Sequence, residues 1–176
     1  MNEPLHRHLL RLAPLDDPAA RASLLSVARS LRQAVGQSAP LRGKNIALMS
    51  ATQESSATQE AGTQDAGQLL IDAATRLGAR VARIEPAPAW LRGETKPGAD
   101  TARLLQHLYD AVDCESLPAG FAAQLQSLLE VPVYDSLARE DHPIFALLKE
   151  LVPPGHAPAA ADRRALVQAA LVSTML

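Results

Sequence analysis

Residues 68–86, QLLIDAATRLGARVARIEP, decide the fold. Apolar positions recur at helical spacing as far as Leu77, Gly78 supplies a turn with permissive backbone angles, and Arg80 to Ile84 make a short strand. A helix, a tight turn and a strand in so few residues is the repeating unit of an α/β protein. Upstream, NIALMS (45–50) is a short apolar run entered by Arg42-Gly43-Lys44, the pattern of a parallel strand buried on both faces. Before it, Leu24, Leu25, Ala28, Leu31 and Val35 fall near helical spacing, which predicts an amphipathic helix after Pro18 that ends before Gly36.

The alternation continues downstream. Asp100 or Thr101 can cap a helix over DTARLLQHLY, followed by a third strand near Ala111–Cys114. AGFAAQLQSLLE (119–130) reads as a helix, VPVYDSL (131–137) as a fourth strand, and HPIFALLKEL (142–151) as a helix with Pro143 in its first turn. These elements predict a three-layer α/β fold: a four-stranded parallel sheet with right-handed crossovers and helices on both faces. Residues 51–67 are small and polar, with the near-duplicate tracts ATQES and ATQEAG, and read as a long loop. Ligands in such folds sit beyond the carboxyl ends of the strands, so the loops at 51–67, 85–99 and 135–143 are the places to look for a site.

Composition sets limits. The 176 residues suit one domain. Seventeen Lys and Arg against nineteen Asp and Glu leave a net charge of -2, which argues against a nucleic-acid partner. No apolar run approaches the ~20 residues needed to cross a bilayer, and the amino terminus lacks a cleavage pattern, so a soluble cytoplasmic protein without membrane contact is expected. The single Cys114 cannot form an internal disulfide, in keeping with a reducing compartment. Cys114 and the histidines have no metal-ligand spacing, and no serine has a recognisable base partner, so no cofactor, metal or nucleophilic chemistry is expected.

Taken in order, LRGKNIAL, RLGARVARI, RGET, DTARLLQHLYDAV, VPVYDSL and DHPIFALLKEL resemble the amino-terminal, carbamoyl-phosphate-binding domain of the aspartate and ornithine carbamoyltransferases. The resemblance covers most of residues 5–152. It implies an α/β domain over 1–152, a Pro/Ala linker at 153–161 where the family carries an amino-acid-binding domain, and a returning helix at 162–176 that packs on the first domain. It also implies kinship with enzymes of pyrimidine and arginine biosynthesis.

The same resemblance makes the chain look catalytically degenerate. The family holds phosphate with guanidinium groups in a Ser-Thr-Arg-Thr-Arg motif, whose fork matches phosphate oxygens. Here the corresponding loop offers Ser55, Ser56 and Thr58 or, by a gap-free count from Leu77-Gly78, Thr63 to Gly67, and neither stretch contains arginine. Glu115 stands where the family has a carbamoyl-binding arginine, reversing the charge, and Phe145 replaces the glutamine of His-Pro-x-Gln. His142 survives and could donate a hydrogen bond, although His-Pro at a helix start is also ordinary capping geometry. Arg92 aligns with a lysine that aspartate carbamoyltransferases lend to a neighbouring subunit, but two extra residues before Asp100 favour a solvated loop arginine. The implied function is a non-catalytic oligomerising or regulatory subunit, as a homo-oligomer (a trimer by family resemblance) or with an active transcarbamoylase. The alternatives are a carbamoyltransferase whose remodelled site a partner completes, and a cleft that binds a neutral or cationic small molecule.

Overall fold

The structure, a computed structural model, describes residues 17–33, 39–50 and 61–176, with side chains from Ala66 onward in the last segment. In chain order the elements are α1 (Pro18–Gln33), β1 (Asn45–Ser50), α2 (Ala61–Arg76), β2 (Arg80–Ile84), α3 (Pro88–Leu91), α4 (Ala99–Leu108), β3 (Ala111–Glu115), α5 (Phe121–Gln126) and β4 (Val133–Tyr134). A 3-10 turn over Pro143–Leu147 leads into α6 (Leu148–Leu151), and α7 (Ala160–Met175) closes the chain. The strands form one all-parallel sheet in the order β2-β1-β3-β4, with helices on both faces.

The period of two along β1 divides the core. Ile46 and Leu48 face α1, α2 and α7, whereas Ala47 and Met49 face α4 and α5. All four are essentially inaccessible to solvent, as a central parallel strand requires. Ile46 lies in register with Val81 on one side and Ala111 on the other. The amino ends are tied by Asp110, which accepts from the Asn45 amide (2.8 Å) and from Lys44 Nζ (3.0 Å). The turn from α2 to β2 uses Gly78 at φ +85°, where a β-carbon would stand 2.8 Å from that of Ala39. Only glycine fits there without displacing a neighbour. The outer edge of β2 pairs with no other strand of the sheet, and Arg80, Ala82 and Arg83 are exposed along it.

The final helix is a core element. Leu166, Ala169 and Ala170 are fully buried against α1 and α2, and the alanines let the helices approach closely. Burying a leucine such as Leu166 contributes about 1.5–3 kcal/mol. Its polar contacts are also internal: Tyr134 Oη and Thr174 Oγ1 lie 2.5 Å apart, and Gln168 Nε2 donates to the Ala73 carbonyl at 3.2 Å. At its start, Asp162 accepts from the Ala159 amide (2.8 Å) and lies 3.0 Å from Arg32 Nε.

Several boundaries differ from the sequence expectations. α2 begins at Ala61, so 61–67 of the expected loop are helical; alanine is the strongest helix former, and small polar residues hid the stripe. β4 has only two residues, because the Gln126 side chain takes over beside it, donating to the Val131 carbonyl and accepting from the Val133 amide. The helix expected over 119–130 shrinks to Phe121–Gln126, and that over 142–151 opens as a 3-10 turn. α3 was not legible in its Pro/Ala stretch, and α7 starts two residues before Asp162.

Candidate functional site

The strand order reverses between β1 and β3, and ligands of such folds bind beyond the carboxyl ends of the strands at that point. β1 ends at Ser50, whose register partner is Glu115, the last residue of β3. Asp113 and Glu115 share the face of β3 that α2 covers, because Ala111 on the same period packs in that half of the core. Both carboxyl groups are buried, at 2% and 5% residual exposure. The site is therefore acidic and closed.

Glu115 packs against the backbone of α2. A β-carbon on Gly67 would stand 2.6 Å from Glu115 Oε1 and 2.8 Å from Oε2, so the absence of a side chain at residue 67 makes the room. Oε1 has no hydrogen-bond partner among the described residues. Burial raises the Glu115 pKa, with Arg83 and the Gly67 amide pulling it back in part. Asp113 accepts from the Leu137 amide at 2.9 Å, yet desolvation, reinforced by Glu115 and Asp135, pushes its pKa up to about 7. The same burial raises the Cys114 thiol, which removes it as a thiolate nucleophile.

Ser136 laces the ends of β3 and β4. Its Oγ donates to the Cys114 carbonyl and accepts from the Ser116 amide, each at 3.1 Å. Ser116 and Ser136 both adopt φ +54°, the left-handed region that non-glycine residues rarely occupy. Neither serine stands out in the sequence, since its type does not encode this angle.

The sequence candidates do not converge. Ser55, Ser56 and Thr58 lie outside the described residues. In the second of the two loop stretches, Ala66 and Gly67 sit inside α2 and are buried. Arg92 is exposed and forms a two-pronged pair with Glu94, with Nη2 to Oε2 at 3.0 Å. His142 caps the 3-10 turn, its Nδ1 accepting from the Ile144 amide at 3.2 Å. Desolvation first, and then Arg139, lower its pKa to about 4, so it is neutral near pH 7. Phe145 is buried beneath Arg163, whose guanidinium carbon lies 4.6 Å from the ring centroid. Among the described residues no three His, Cys, Asp or Glu side chains converge to hold a metal ion, and no helix is long and apolar enough to cross a membrane.

No family model matches the sequence. Solved structures do match the fold. An ornithine carbamoyltransferase from Burkholderia thailandensis superposes with a TM-score of 0.56 at 16% identity, over 80% of this chain and 47% of that one. A protein assigned as an aspartate carbamoyltransferase from Leishmania major gives 0.50 at 20% identity, over 76% of this chain and 39% of that one. The chain therefore has a partial carbamoyltransferase fold and spans less than half the length of either structure.

Proposed function

We propose that this chain is a non-catalytic carbamoyltransferase-like protein that acts by association, as a homo-oligomer or as a regulatory subunit of an active transcarbamoylase in the cytoplasm. In this reading residues 1–152 and the returning helix 162–176 form one body, and the linker 153–161 stands in place of an acceptor-binding domain. One observation carries it: the Glu115 carboxyl group is buried against Gly67 at the carboxyl end of β3, beside Asp113. An anionic acyl phosphate brought to that low-dielectric site would meet two carboxyl groups, a repulsion of several kcal/mol whenever either is ionised and offset only in part by the Arg83 guanidinium. The positions of Arg92 and His142 support the same reading, because each is already engaged in a local structural contact.

Calorimetry with carbamoyl phosphate and with inorganic phosphate, each at millimolar concentration, is the direct test; no heat is expected from either. Light scattering of the chain, alone and mixed with the host's active transcarbamoylases, should show an assembly larger than one protomer. Saturable carbamoyl-phosphate binding, turnover of an amine acceptor, or a strictly monomeric chain in both preparations would overturn the proposal.

A further inference from the structure

Glu115 is held in a pose that suits only its neutral form. The side chain lies under α2, with Oε1 cut off from solvent and without a hydrogen-bond partner among the described residues. Left so, an ionised oxygen would lack both water and a donor, which burial penalises heavily; a protonated carboxyl group loses far less. The pose exists because residue 67 has no β-carbon to meet it. The backbone next to it is loaded: Ser116 stands at φ +54°, a conformation that persists only while its surroundings hold it.

A second resting place for the carboxylate lies on the same face of the sheet. Arg83 on β2, Leu48 on β1 and Asp113 on β3 are in register, so their side chains point the same way, and Glu115 follows one period later. Arg83 is exposed at the sheet edge. Desolvation is the largest effect on Glu115 and favours its neutral form, whereas the Arg83 guanidinium favours the charged one. The other groups facing this corner are acidic or already paired. Asp113 repels a charge on Glu115, and Asp135 beyond β4 adds to the field at Asp113. β1 carries no charged side chain, and the first charged residue of α2 after Gly67 is Asp72, which Arg76 and Arg164 occupy.

We propose that Glu115 is a proton-operated latch on the amino-terminal turns of α2: neutral, it lies against Gly67 and keeps those turns seated on the carboxyl end of β3; ionised, it leaves for water and Arg83 and lets them lift. The only bond broken is the carboxyl O–H, and its proton passes to solvent. Rising pH therefore opens the latch, beside the carboxyl ends of β1 and β3 where a ligand of such a fold would enter. The device stands whether or not the chain associates, and it makes access to the candidate site depend on protons.

Nuclear magnetic resonance of the full chain, labelled at its glutamate carboxyl carbons and backbone amides, tests this between about pH 4 and 9. Glu115 should titrate above the ordinary glutamate range, and the Gly67 amide should shift with the same midpoint. Protection of the Ala66, Gly67 and Gln68 amides against exchange, corrected for the intrinsic rate, should fall at least about fivefold across that midpoint. Arg83→Met, a change at an exposed site, should move the midpoint up, because the ionised form loses its cation. Glu115→Gln should hold the protection constant over the whole range. Asp113→Asn removes the neighbouring titration and should keep the transition, with a lower midpoint. An ordinary Glu115 midpoint, a Gly67 amide indifferent to it, or a fall in protection that survives in Glu115→Gln would overturn the latch. A transition abolished by Asp113→Asn would do the same, by making Asp113 the group that titrates. None of these results bears on the association reading, which the light-scattering masses decide.

Discussion

Glu115 and Gly67 are packed against each other without a hydrogen spacer's worth of slack: the glutamate oxygens fill the volume that a side chain at residue 67 would need. Gly67→Ala should therefore destabilise the protein by about 1–3 kcal/mol, although alanine is the better helix former. In Glu115→Ala the same Gly67→Ala change should be nearly neutral. Urea unfolding of the four proteins of this cycle measures the coupling, and additive effects would show that the two groups do not compete for space.

Two buried titratable groups give opposite pH slopes. Asp113 is raised from 3.8 to about 7 in the folded state, so the fold keeps a proton that the unfolded chain releases, and stability falls as pH rises between those values. His142 is lowered from 6.5 to about 4, so the unfolded chain binds the extra proton and stability is lost as pH falls through that window. Each slope approaches about 1.4 kcal/mol per pH unit. Glu115, whose carboxyl is likewise raised by burial, adds to the falling limb. Relative to the wild type between pH 4 and 6.5, Asp113→Asn should gain stability with rising pH, and His142→Asn, which can still cap Ile144, should lose it. Chemical denaturation at four pH values distinguishes these outcomes, and parallel curves for all three proteins would contradict the assignment.

The two left-handed serines should respond to glycine with opposite signs. Ser116 is exposed and its side chain makes none of the described hydrogen bonds, so Ser116→Gly relieves strain and should stabilise by about 0.5–1 kcal/mol. Ser136→Gly relieves the same angle but removes the bridge between the Cys114 carbonyl and the Ser116 amide, a net loss of about 1–2 kcal/mol. Thermal melts of the two variants provide the comparison.

Because α7 supplies fully buried residues, removing it should abolish the fold instead of trimming it. Leu166→Ala should cost about 2–5 kcal/mol, and a chain ending at Pro158 should lose cooperative unfolding and dispersed amide resonances. A truncated chain that melts cooperatively near the wild-type temperature would show that the sheet and the remaining helices suffice.

The sheet was legible because its strands are short apolar runs set off by glycine, proline or charge: NIALMS around Ile46 and Leu48, and the Gly78 turn into Val81. The first turns of α2 were not, since AGTQDAG (61–67) has no large apolar side chain to mark a stripe, whereas the same helix was readable around Leu70. The site was only partly readable. The charge at Glu115 is visible in the sequence, but its burial depends on Gly67, forty-eight positions earlier. The angles at Ser116 and Ser136 arise where neighbouring strands end together, which residue type alone does not announce.

The open margin of the sheet has a bearing on how such molecules behave when crowded. Amide and carbonyl groups on the side of β2 that no described strand covers could template the next copy's strand and so on without limit, the route by which soluble proteins become fibres. Arg80 and Arg83 stand on that margin, one toward each face, and any two copies that approached side by side would bring four guanidinium groups together in partly dried surroundings. Growth along that direction is thus discouraged by charge, leaving self-recognition to surfaces that can close on themselves.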